Sequence, residues 1–398
     1  MKLPLHNYFI SSGHNSYLTG NQLIQDCGVS TIELSLKSGC RMLELDIWNP
    51  RSKKGHPLVL HGYTATKAVS LKKCLNVIKL YAFFLSDFPL IITFENHCDE
   101  IRMKMLAAQL NDTFGSMLFI PEVRPEITLS PAQLSGKILI RLKTNYFTAE
   151  KNDVSDTDDD HDAINGDDEI SPVPTELLRL VYLEANSKSS FWKKESHLRF
   201  VTSCSLSEKQ LIQLTKFQRT AISFTQRHFI RVYPNAIRVD SSNFDPMTAW
   251  LSGSQMVALN FQNNIQGVIS LNRGLFRKNG MCGYVLKPDW MRTPGSYVDI
   301  STLLPNKVLK VTVLSSCSSK RTSDMYVKLI LNGIPRDVKV GETSYVLNYA
   351  IANFNQSFYF PISEPEMALL SIYLVCIVIY VYTYRQYNLH CLFFTDGL

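Results

Sequence analysis

The sequence shows no pattern that predicts a disulfide framework, an apolar leader or a regular repeat. Its nine cysteines are scattered and odd in number, and no two stand in a CxxC spacing. A disulfide scaffold or a structural zinc site is therefore not expected, and reduced thiols in a cytoplasmic protein are. The opening residues contain no apolar stretch as long as the core of a signal peptide. No repeat of about 20–50 residues is visible, which argues against solenoids and propellers.

Charged residues are also few, at 19%, whereas apolar residues make up 45% of the 398 residues. This balance excludes wholesale disorder. A mean hydropathy of −0.04 excludes a multi-span membrane protein. A chain of this length is expected to fold as two or three domains.

The charge is unevenly distributed along the chain. The net charge is +6, but residues 151–170 contain nine acidic residues and one lysine, a local charge of −8. The remaining residues therefore carry +14. A folded body this basic predicts an anionic partner, and composition leaves nucleic acid, a phospholipid surface and a phosphorylated substrate open.

The acidic stretch 149–174 is poor in apolar residues and rich in Asp. Such a segment cannot bury enough surface to fold, so we expect a solvated linker. A calcium loop of the EF-hand type is the alternative, because Asp156, Asp158 and Asp160 alternate as its ligands do. That frame has His161 where the loop needs Gly and Asp167 where it needs Glu, which disfavours it.

Short apolar strands alternate with helical patterns on both sides of the linker. This alternation predicts an α/β fold in which helices surround a parallel sheet. Ser207 is the expected N-cap of a helix after the linker. The predicted strands are 7–10, 42–47, 58–61, 90–95, 137–142, 200–204 and 256–260, and the predicted helices are 31–38, 71–84, 100–114 and 207–224.

From about residue 307 the helical patterns stop and β-rich runs predict a small β-sandwich. The expected organisation is a first barrel half at 1–148, a linker at 149–190, a second barrel half at 191–300 and the sandwich at 307–398. Residues 367–384 carry no charge and reach the threshold length of a membrane span. A buried strand pair, a tail anchor and a non-native ending all stay open for this segment.

Polar side chains stand at the ends of the early strands. The first strand leads to His14 and Asn15, and the second presents Glu44 and Asp46 on one face because they are two residues apart. The third ends at His61 and the fourth at Glu95. Each residue alone would more often be structural, but together they match the carboxyl-end site of a (β/α)8 barrel.

Four of these residues offer only oxygen ligands. Three carboxylates and one amide suit a hard cation, calcium in particular, and the absence of Cys partners argues against zinc. The set is Asn15, Glu44, Asp46 and Glu95. A cation beside two free imidazoles suits phosphoryl chemistry, since the cation offsets charge and the histidines move protons.

A second group of residues is basic and aromatic. Arg141 and Lys143 share one face of a strand, as do Arg231 and Tyr233, and Ser205 ends another strand. An Arg and a Tyr that face one way can grip a phosphate and stack on a ring. A buried Tyr beside a surface Arg is the structural alternative.

Long motifs in this order resemble a known family. PLHNYFISSGHNSYLTGNQL, GCRMLELDIW, LHGYTATKAVSLKKCL, FPLIITFENH and LSGKILIRLK resemble the X-box of eukaryotic phosphoinositide-specific phospholipase C. SLSEKQL, FTQRHFIRVYPNAIRVDSSNFDPMTAW, SQMVALNFQ and GMCGYVLKPDWM resemble its Y-box. The resemblance covers residues 3 to about 292 except the linker, and continues more weakly into a C2-like sandwich. The layout is most similar to short plant or protist forms and to delta or zeta forms.

The resemblance implies a distorted TIM barrel split by the linker and a calcium ion held by Asn15, Glu44, Asp46 and Glu95. It implies that His14 stabilises the charge on the pentacoordinate phosphorus and that His61 is the acid toward the diacylglycerol leaving group. The inositol 2-hydroxyl would attack the 1-phosphate to give a cyclic phosphate, which water then opens, with Glu44 a candidate base for the first step. The residues matching its ring and phosphate subsites are Lys143, Ser205, Arg231, Tyr233 and Arg141.

The resemblance also implies a membrane-facing apolar rim at Leu23, Tyr63, Ile212 and Ile237. Arg141 stands where animal forms often have Lys, and Ala65 replaces a bulky rim residue. The end of the sandwich departs most from a C2 domain, so no C2 calcium ligands are carried over and this domain is expected to be incomplete. The acidic linker is expected to repel anionic membranes, and deletion of 153–169 should raise activity on them.

The expected activity is calcium-dependent hydrolysis of phosphatidylinositol 4,5-bisphosphate and related phosphoinositides by a monomer. The expected location is cytoplasmic and peripheral at the plasma membrane, with an anionic phospholipid partner and no nucleic acid. Two alternatives are a catalytically silent lipid-binding module and a glycerophosphodiester phosphodiesterase. The first predicts damage to the calcium or histidine set, and the second does not need the phosphate-binding residues.

Overall fold

The computed structural model describes residues 1–144, 172–186, 200–263, 267–317, 324–347, 351–378 and 381–384, apart from residues 24, 53, 63, 65 and 124. The chain divides into two compact units, Met1–Ser296 and Tyr297–Leu398. This division lies a few residues before the predicted boundary. The possible calcium loop, most of the acidic linker and rim residue Tyr63 lie outside the described residues.

The first unit alternates strands and helices, as the sequence predicts. Its strands are β1 Tyr8–Gly13, β2 Met42–Trp48, β3 Leu58–Val59, β4 Val69–Ser70, β5 Leu90–His97, β6 Ile138–Lys143, β7 Val181–Asn186, β8 Thr202–Ser207, β9 Phe229–Tyr233, β10 Met256–Leu259 and β11 Tyr284–Leu286. Its helices are α1 Ser30–Lys37, α2 Leu71–Tyr81, α3 Glu100–Phe114, α4 Thr175–Leu178, α5 Glu208–Thr215, α6 Gln218–Thr225, α7 Met247–Leu251, α8 Val268–Arg277 and α9 Asp289–Arg292.

Eight parallel strands close into a barrel in the order β1, β2, β5, β6, β7, β8, β9, β10. The barrel closes at β1, which pairs with β10 on one side and with β2 on the other. The pairing with β2 joins Ser12 and Met42. The predicted TIM barrel is thereby confirmed. Because the strands are parallel, their carboxyl ends meet at one mouth.

Local sequence explains the main elements of this barrel. The strand residues are buried almost throughout, as expected for a sheet covered on both faces. Asp99 caps α3 by accepting a hydrogen bond from the Arg102 N–H at 2.9 Å. Ser207 and Gln210 form a capping box at the start of α5, which confirms Ser207 as the N-cap.

Three sequence predictions for this unit need correction. The strand predicted at 58–61 is the short β3, which pairs antiparallel with β2 outside the barrel. The helix predicted at 207–224 is two helices, since the backbone leaves helical geometry at Phe217. The predicted linker at 149–190 extends too far, because α4 and β7 belong to the barrel. The dense acidic run concealed the apolar alternation of β7.

The described residues of the second unit form two sheets, which confirms the predicted sandwich, while its C2 character stays a prediction. The strands are β12 Lys307–Cys317, β13 Asp324–Asn332, β14 Lys339–Glu342, β15 Ile351–Ile362, β16 Leu369–Val378 and β17 Val381–Tyr384. One sheet pairs β12 with β15, and the other has the order β14, β13, β16, β17. Apolar side chains from both sheets form one buried cluster.

Within the uncharged segment 367–384, the described residues form the strands β16 and β17. β16 pairs antiparallel with both β13 and β17. Of the three interpretations left open, the described residues therefore support the strand pair. In the part of the chain that the structure describes, no helix combines the length and apolarity needed to cross a bilayer.

Candidate active site

Three carboxylates converge at the mouth of the barrel. Glu44 and Asp46 leave one face of β2, and Glu95 lies on the neighbouring strand β5, directly beside Asp46 in the parallel register. Ligand oxygens of the three side chains all lie within 4.8 Å of one another. Glu44 and Asp46 are buried, whereas Glu95 faces solvent. The i, i+2 spacing thus produces the predicted cluster.

The cluster has the electrostatics of a cation site. Burial, followed by the charges of Glu95 and Glu44, raises the pKa of Asp46 well above its ordinary value. Tyr17 donates from its hydroxyl to Asp46 Oδ2 at 2.6 Å, while Asp46 Oδ1 is buried with no hydrogen-bond partner among the described residues. A bound cation would relieve both the repulsion and the unpartnered oxygen.

Glu95 is held from the solvent side by His97. His97 Nε2 lies 3.2 Å from Glu95 Oε1, and the imidazole stacks on the Trp48 indole with ring centroids 3.9 Å apart. Desolvation would raise the pKa of Glu95, but the hydrogen bond and charge of His97 hold it below its ordinary value. Glu95 is therefore ionised, and its orientation is supported by a neighbouring ring.

Asn15 is placed beside the carboxylates by its backbone. It adopts a left-handed conformation with φ of 39°, which Asn tolerates better than most residues. Its N–H donates to Glu44 Oε2 at 3.1 Å. The four oxygen-bearing residues predicted from sequence are brought together, and their chemistry fits a hard divalent cation.

The two predicted histidines flank the cluster. His14 Nδ1 lies 2.9 Å from Asn260 Oδ1, and its Nε2 lies 3.9 Å from Glu44 Oε2. His61 follows β3, and its Nδ1 is buried without a hydrogen-bond partner among the described residues. Burial lowers the pKa of both imidazoles; the Glu44 charge opposes this at His14, whereas the His14 charge adds to it at His61.

The basic side of the mouth draws on both halves of the barrel, and Arg231 and Tyr233 come from β9 in the second half. Arg231 forms a buried ion pair with Glu44. The Arg231 guanidinium carbon lies 4.9 Å from the ring centroid of Tyr233, and that ring is nearly parallel to His14 at 6.3 Å. Arg231 and Tyr233 therefore belong to the same site as the acidic cluster.

Arg141 lies deeper, and Lys143 lies at the exposed end of the same strand. Arg141 donates from Nε to Ser203 Oγ and from Nη2 to Ser205 Oγ, both at 2.8 Å. Burial, together with the positive charge of Arg231, lowers the pKa of Arg141 to about 9. Two guanidinium groups thus lie close together at the mouth, which favours an anionic ligand.

Comparison with known proteins identifies this arrangement. The family profiles for phosphatidylinositol-specific phospholipase C match residues 1–144 as the X domain and residues 177–290 as the Y domain. Phosphoinositide phospholipase C 7 of Arabidopsis thaliana is 35% identical and covers 94% of this chain. The chain belongs to the phosphatidylinositol-specific phospholipase C family.

Other relatives of this phospholipase C family agree. The human 1-phosphatidylinositol 4,5-bisphosphate phosphodiesterase zeta-1 is 33% identical over 93% of the chain. The crystal structure of S. officinalis PLC21 superposes with a TM-score of 0.81 at 29% identity over 94% of the chain. The chain spans 73% of the Arabidopsis protein, 65% of the human protein and half of the S. officinalis chain. Its X and Y halves form the catalytic barrel of the family.

The described residues of the predicted rim of this phospholipase C barrel lie in segments that follow barrel strands. Leu23 is exposed after β1, Ile212 is exposed on α5 after β8, and Ile237 is exposed after β9. The first and last of these segments are joined by the hydrogen bond from Gln22 N–H to the Val239 carbonyl at 3.0 Å. These three residues therefore lie toward the mouth, as expected for a surface that approaches a lipid.

Sequence reasoning missed several residues of this phospholipase C site. Tyr17, His97 and Asn260 contact the predicted residues directly. Asn260 directly follows β10, so the rule that found Glu95, a polar residue at the end of an apolar strand, would also have found it. Tyr17 gave no such signal, because a Tyr in a loop usually has a packing role.

Proposed function

We propose that this chain hydrolyses phosphatidylinositol 4,5-bisphosphate and related phosphoinositides in a calcium-dependent reaction. The products are diacylglycerol and an inositol phosphate, formed through a cyclic phosphate. The observation that carries the proposal is the group of three carboxylates within 4.8 Å, flanked by His14 and His61 in a barrel of this family.

Calcium is the cation that best fits the ligand set. Asn15, Glu44, Asp46 and Glu95 supply only oxygens, and three of them are carboxylates, which suits a hard cation with a high coordination number. When bound, calcium would offset phosphate charge and increase the acidity of a hydroxyl group. The raised pKa of Asp46 and its unpartnered oxygen support a cation at this position.

The protein groups can move the protons that the reaction requires. Glu44 is the candidate base that takes the proton from the inositol 2-hydroxyl, whose oxygen then bonds to phosphorus. The bond from phosphorus to the glycerol oxygen breaks, and His61 gives that oxygen a proton. His61 then takes a proton from the water that opens the cyclic phosphate. His14 would offset the charge that develops on the phosphoryl oxygens.

Substrate recognition is assigned to the basic side of the mouth. Arg231 and Arg141 offer planar guanidinium groups that match phosphate oxygens. Lys143 is exposed on the same strand as Arg141 and can reach a ring phosphate without breaking a packed contact. Ser205 accepts a hydrogen bond from Arg141, and Tyr233 offers an aromatic face to the inositol ring.

The membrane is the proposed partner for the same face. The rim residues Leu23, Ile212 and Ile237 are exposed, and the chain outside the acidic stretch is strongly basic. Both features favour an anionic phospholipid surface. We therefore propose a monomer in the cytoplasm that binds the plasma membrane peripherally.

The two alternatives are less well supported. A silent lipid-binding module would tolerate damage to the calcium or histidine set. Here the three carboxylates lie together, Asn15 and His14 lie beside Glu44, and the charges of Glu95 and Glu44 act on His61. A glycerophosphodiester phosphodiesterase would have no use for Arg141 and Arg231 beside the carboxylates.

The deciding experiment is turnover of phosphatidylinositol 4,5-bisphosphate in vesicles with calcium and with chelator. We expect release of inositol phosphate that stops with chelator, and a His61→Ala variant that binds vesicles but turns over at least about 100-fold more slowly. A glycerophosphodiester assay runs beside it. Calcium-independent turnover, no turnover, or preference for the glycerophosphodiester would each overturn the proposal.

A further inference from the structure

His14 is attached to the end of β10 by both its backbone and its side chain. Its N–H donates to the Leu259 carbonyl at 2.9 Å, and its Nδ1 lies 2.9 Å from Oδ1 of Asn260. Asn260 is fully buried and lies 246 residues away in sequence. The ring of His14 is therefore oriented by the second half of the barrel, whereas its backbone belongs to the first.

Asn243 fixes Asn260 in turn. The Asn260 N–H donates to Asn243 Oδ1 at 2.7 Å, and Asn243 Nδ2 donates to the Asn260 carbonyl at 3.1 Å. Asn243 Nδ2 also donates to the Asn263 carbonyl at 3.0 Å. Both amide protons and the carbonyl of this buried side chain are thus used, so Asn243 has one possible amide orientation.

The orientation of the Asn260 amide also follows from its hydrogen-bond partners. Its Nδ2 lies 3.4 Å from the Ser242 carbonyl, an atom that can only accept. The opposite atom of the amide, Oδ1, therefore faces His14 and can only accept as well. It follows that Nδ1 of His14 carries a proton and that neutral His14 has its lone pair on Nε2, the nitrogen that faces Glu44.

We propose that Asn260 is a positioning residue for the reaction, which fixes His14 as the Nδ1–H tautomer and directs Nε2 toward the carboxylate cluster. This role rests on the proposed function, because it matters only if the phosphate reacts beside His14. An imidazole with the other tautomer would present the wrong nitrogen to the phosphate, and a free ring would lose its alignment.

The first test reads the tautomer directly and does not depend on turnover. The full chain is labelled with 15N-histidine, and the His14 signals are assigned among nine histidines by comparison with His14→Gln. At a pH where His14 is neutral, we expect the Nδ1–H pattern in the wild type and a mixture of tautomers in Asn260→Leu. A wild-type Nε2–H pattern overturns the inference, whether or not the protein is active.

The second test separates positioning from folding. In Asn260→Leu we expect kcat to fall about 100-fold with KM within about two-fold, since His14 acts after substrate binds. Asn260→Asp keeps an acceptor for Nδ1–H and should retain most of kcat. The matched control is Asn272→Leu, because Asn272 is equally buried and donates to Ser11 on the same strand β1 without contacting His14.

These experiments decide whether Asn260 positions His14 or only packs in the core. Equal kcat losses in Asn260→Leu and Asn272→Leu, or an Asn260→Asp variant as impaired as Asn260→Leu, would reduce Asn260 to a packing residue. If Asn260→Leu does not fold, Asn260→Asp and the wild-type spectrum still test the inference. An inactive wild type with the Nδ1–H pattern would remove the proposed function while leaving the structural inference intact.

Discussion

Arg231 and Glu44 form a buried ion pair that joins the two halves of the barrel across its mouth. Their side chains are 6% and 3% exposed, and 187 residues separate them in sequence. β9 and β2 are not neighbours in the barrel, so the pair spans the interior of the mouth. The same contact therefore orients a candidate base and a candidate phosphate-binding residue.

Removing one partner of this pair should destabilise the fold. In Arg231→Met the Glu44 carboxylate stays buried without its partner, and we expect the free energy of unfolding to fall by about 3 kcal/mol. The double variant Arg231→Met with Glu44→Gln should recover most of this loss. Urea denaturation in chelator measures it.

The control for that prediction is the Arg238–Glu208 pair, whose side chains are 24% exposed. Arg238→Met should cost about 1 kcal/mol or less. A double variant no more stable than Arg231→Met would show that packing, not charge, is lost.

Asp46 should stabilise the calcium-bound protein and destabilise the metal-free one. Its carboxylate is buried beside Glu44 and Glu95, so Asp46→Asn should be at least as stable as the wild type in chelator. The same variant should lose the rise in melting temperature that calcium gives the wild type. Thermal melts with calcium and with chelator test both statements.

Asp337→Asn is the matched control for Asp46→Asn. Asp337 is also buried, but its carboxylate accepts from the N–H groups of Ser363 and Glu364. We expect this variant to be less stable in both buffers and to keep the calcium response. An Asp46→Asn variant that behaves in the same way would argue against a calcium ligand.

Much of the barrel and its acidic cluster could be predicted because both depend on local patterns. Side chains alternate along a strand with a period of two residues, which places Glu44 and Asp46 on one face. Parallel strands bring Glu95 to the same end of the barrel. His61 entered the predicted set through a wrong element, since β3 lies outside the barrel. Its backbone is nevertheless placed by β2, because Leu60 N–H donates to the Asp46 carbonyl at 3.2 Å.

Contacts between distant segments could not be predicted in this way. The hydrogen bond of Asn260 to His14 and the ion pair of Arg231 with Glu44 depend on barrel closure, which no local spacing encodes. β7 was not predicted because it follows a dense acidic run. The interruption of the predicted helix at Phe217 has no Gly or Pro to mark it. Tertiary context overrides local pattern at these positions.

His97 should strengthen calcium binding although it is not a ligand. It holds Glu95 through the contact of its Nε2 with Oε1, and it stacks on Trp48. His97→Ala should weaken calcium affinity about 10-fold, measured by calorimetric titration. His56→Ala is the control, because His56 contacts Gln109 on α3. Equal affinities in both variants would contradict a supporting role for His97.

The exposed isoleucines of the rim should contribute to vesicle binding. Ile237 is 80% exposed and Ile212 is 64% exposed. Insertion of one such side chain gains about 1.5–3 kcal/mol, so Ile237→Ser should lower partition onto anionic vesicles by about 10-fold or more. Cosedimentation measures this partition. Ile101→Ser on α3, where Ile101 is 60% exposed, should leave it unchanged, and equal effects of both changes would refute a specific rim.

Lys287 should make the stability of the barrel depend on pH. Its ammonium is buried and donates to the Thr225 carbonyl at 2.8 Å. Burial lowers the pKa of Lys287 to about 7. The neighbouring His6 and His228 have pKa values lowered by burial to about 3 and about 4, so both are neutral in the range where Lys287 titrates.

The sign of this dependence follows from proton binding. Between pH 7 and the ordinary pKa of Lys, about 10.4, the unfolded chain binds more protons at this residue than the folded chain. The free energy of unfolding should therefore rise with pH through this window and level off above it. Lys287→Met should remove this contribution, so the wild type and variant should differ in slope by about 1 kcal/mol per pH unit between about pH 7.5 and 9.5. Urea denaturation at several pH values measures the slopes, and parallel profiles would show that Lys287 stays protonated in the fold.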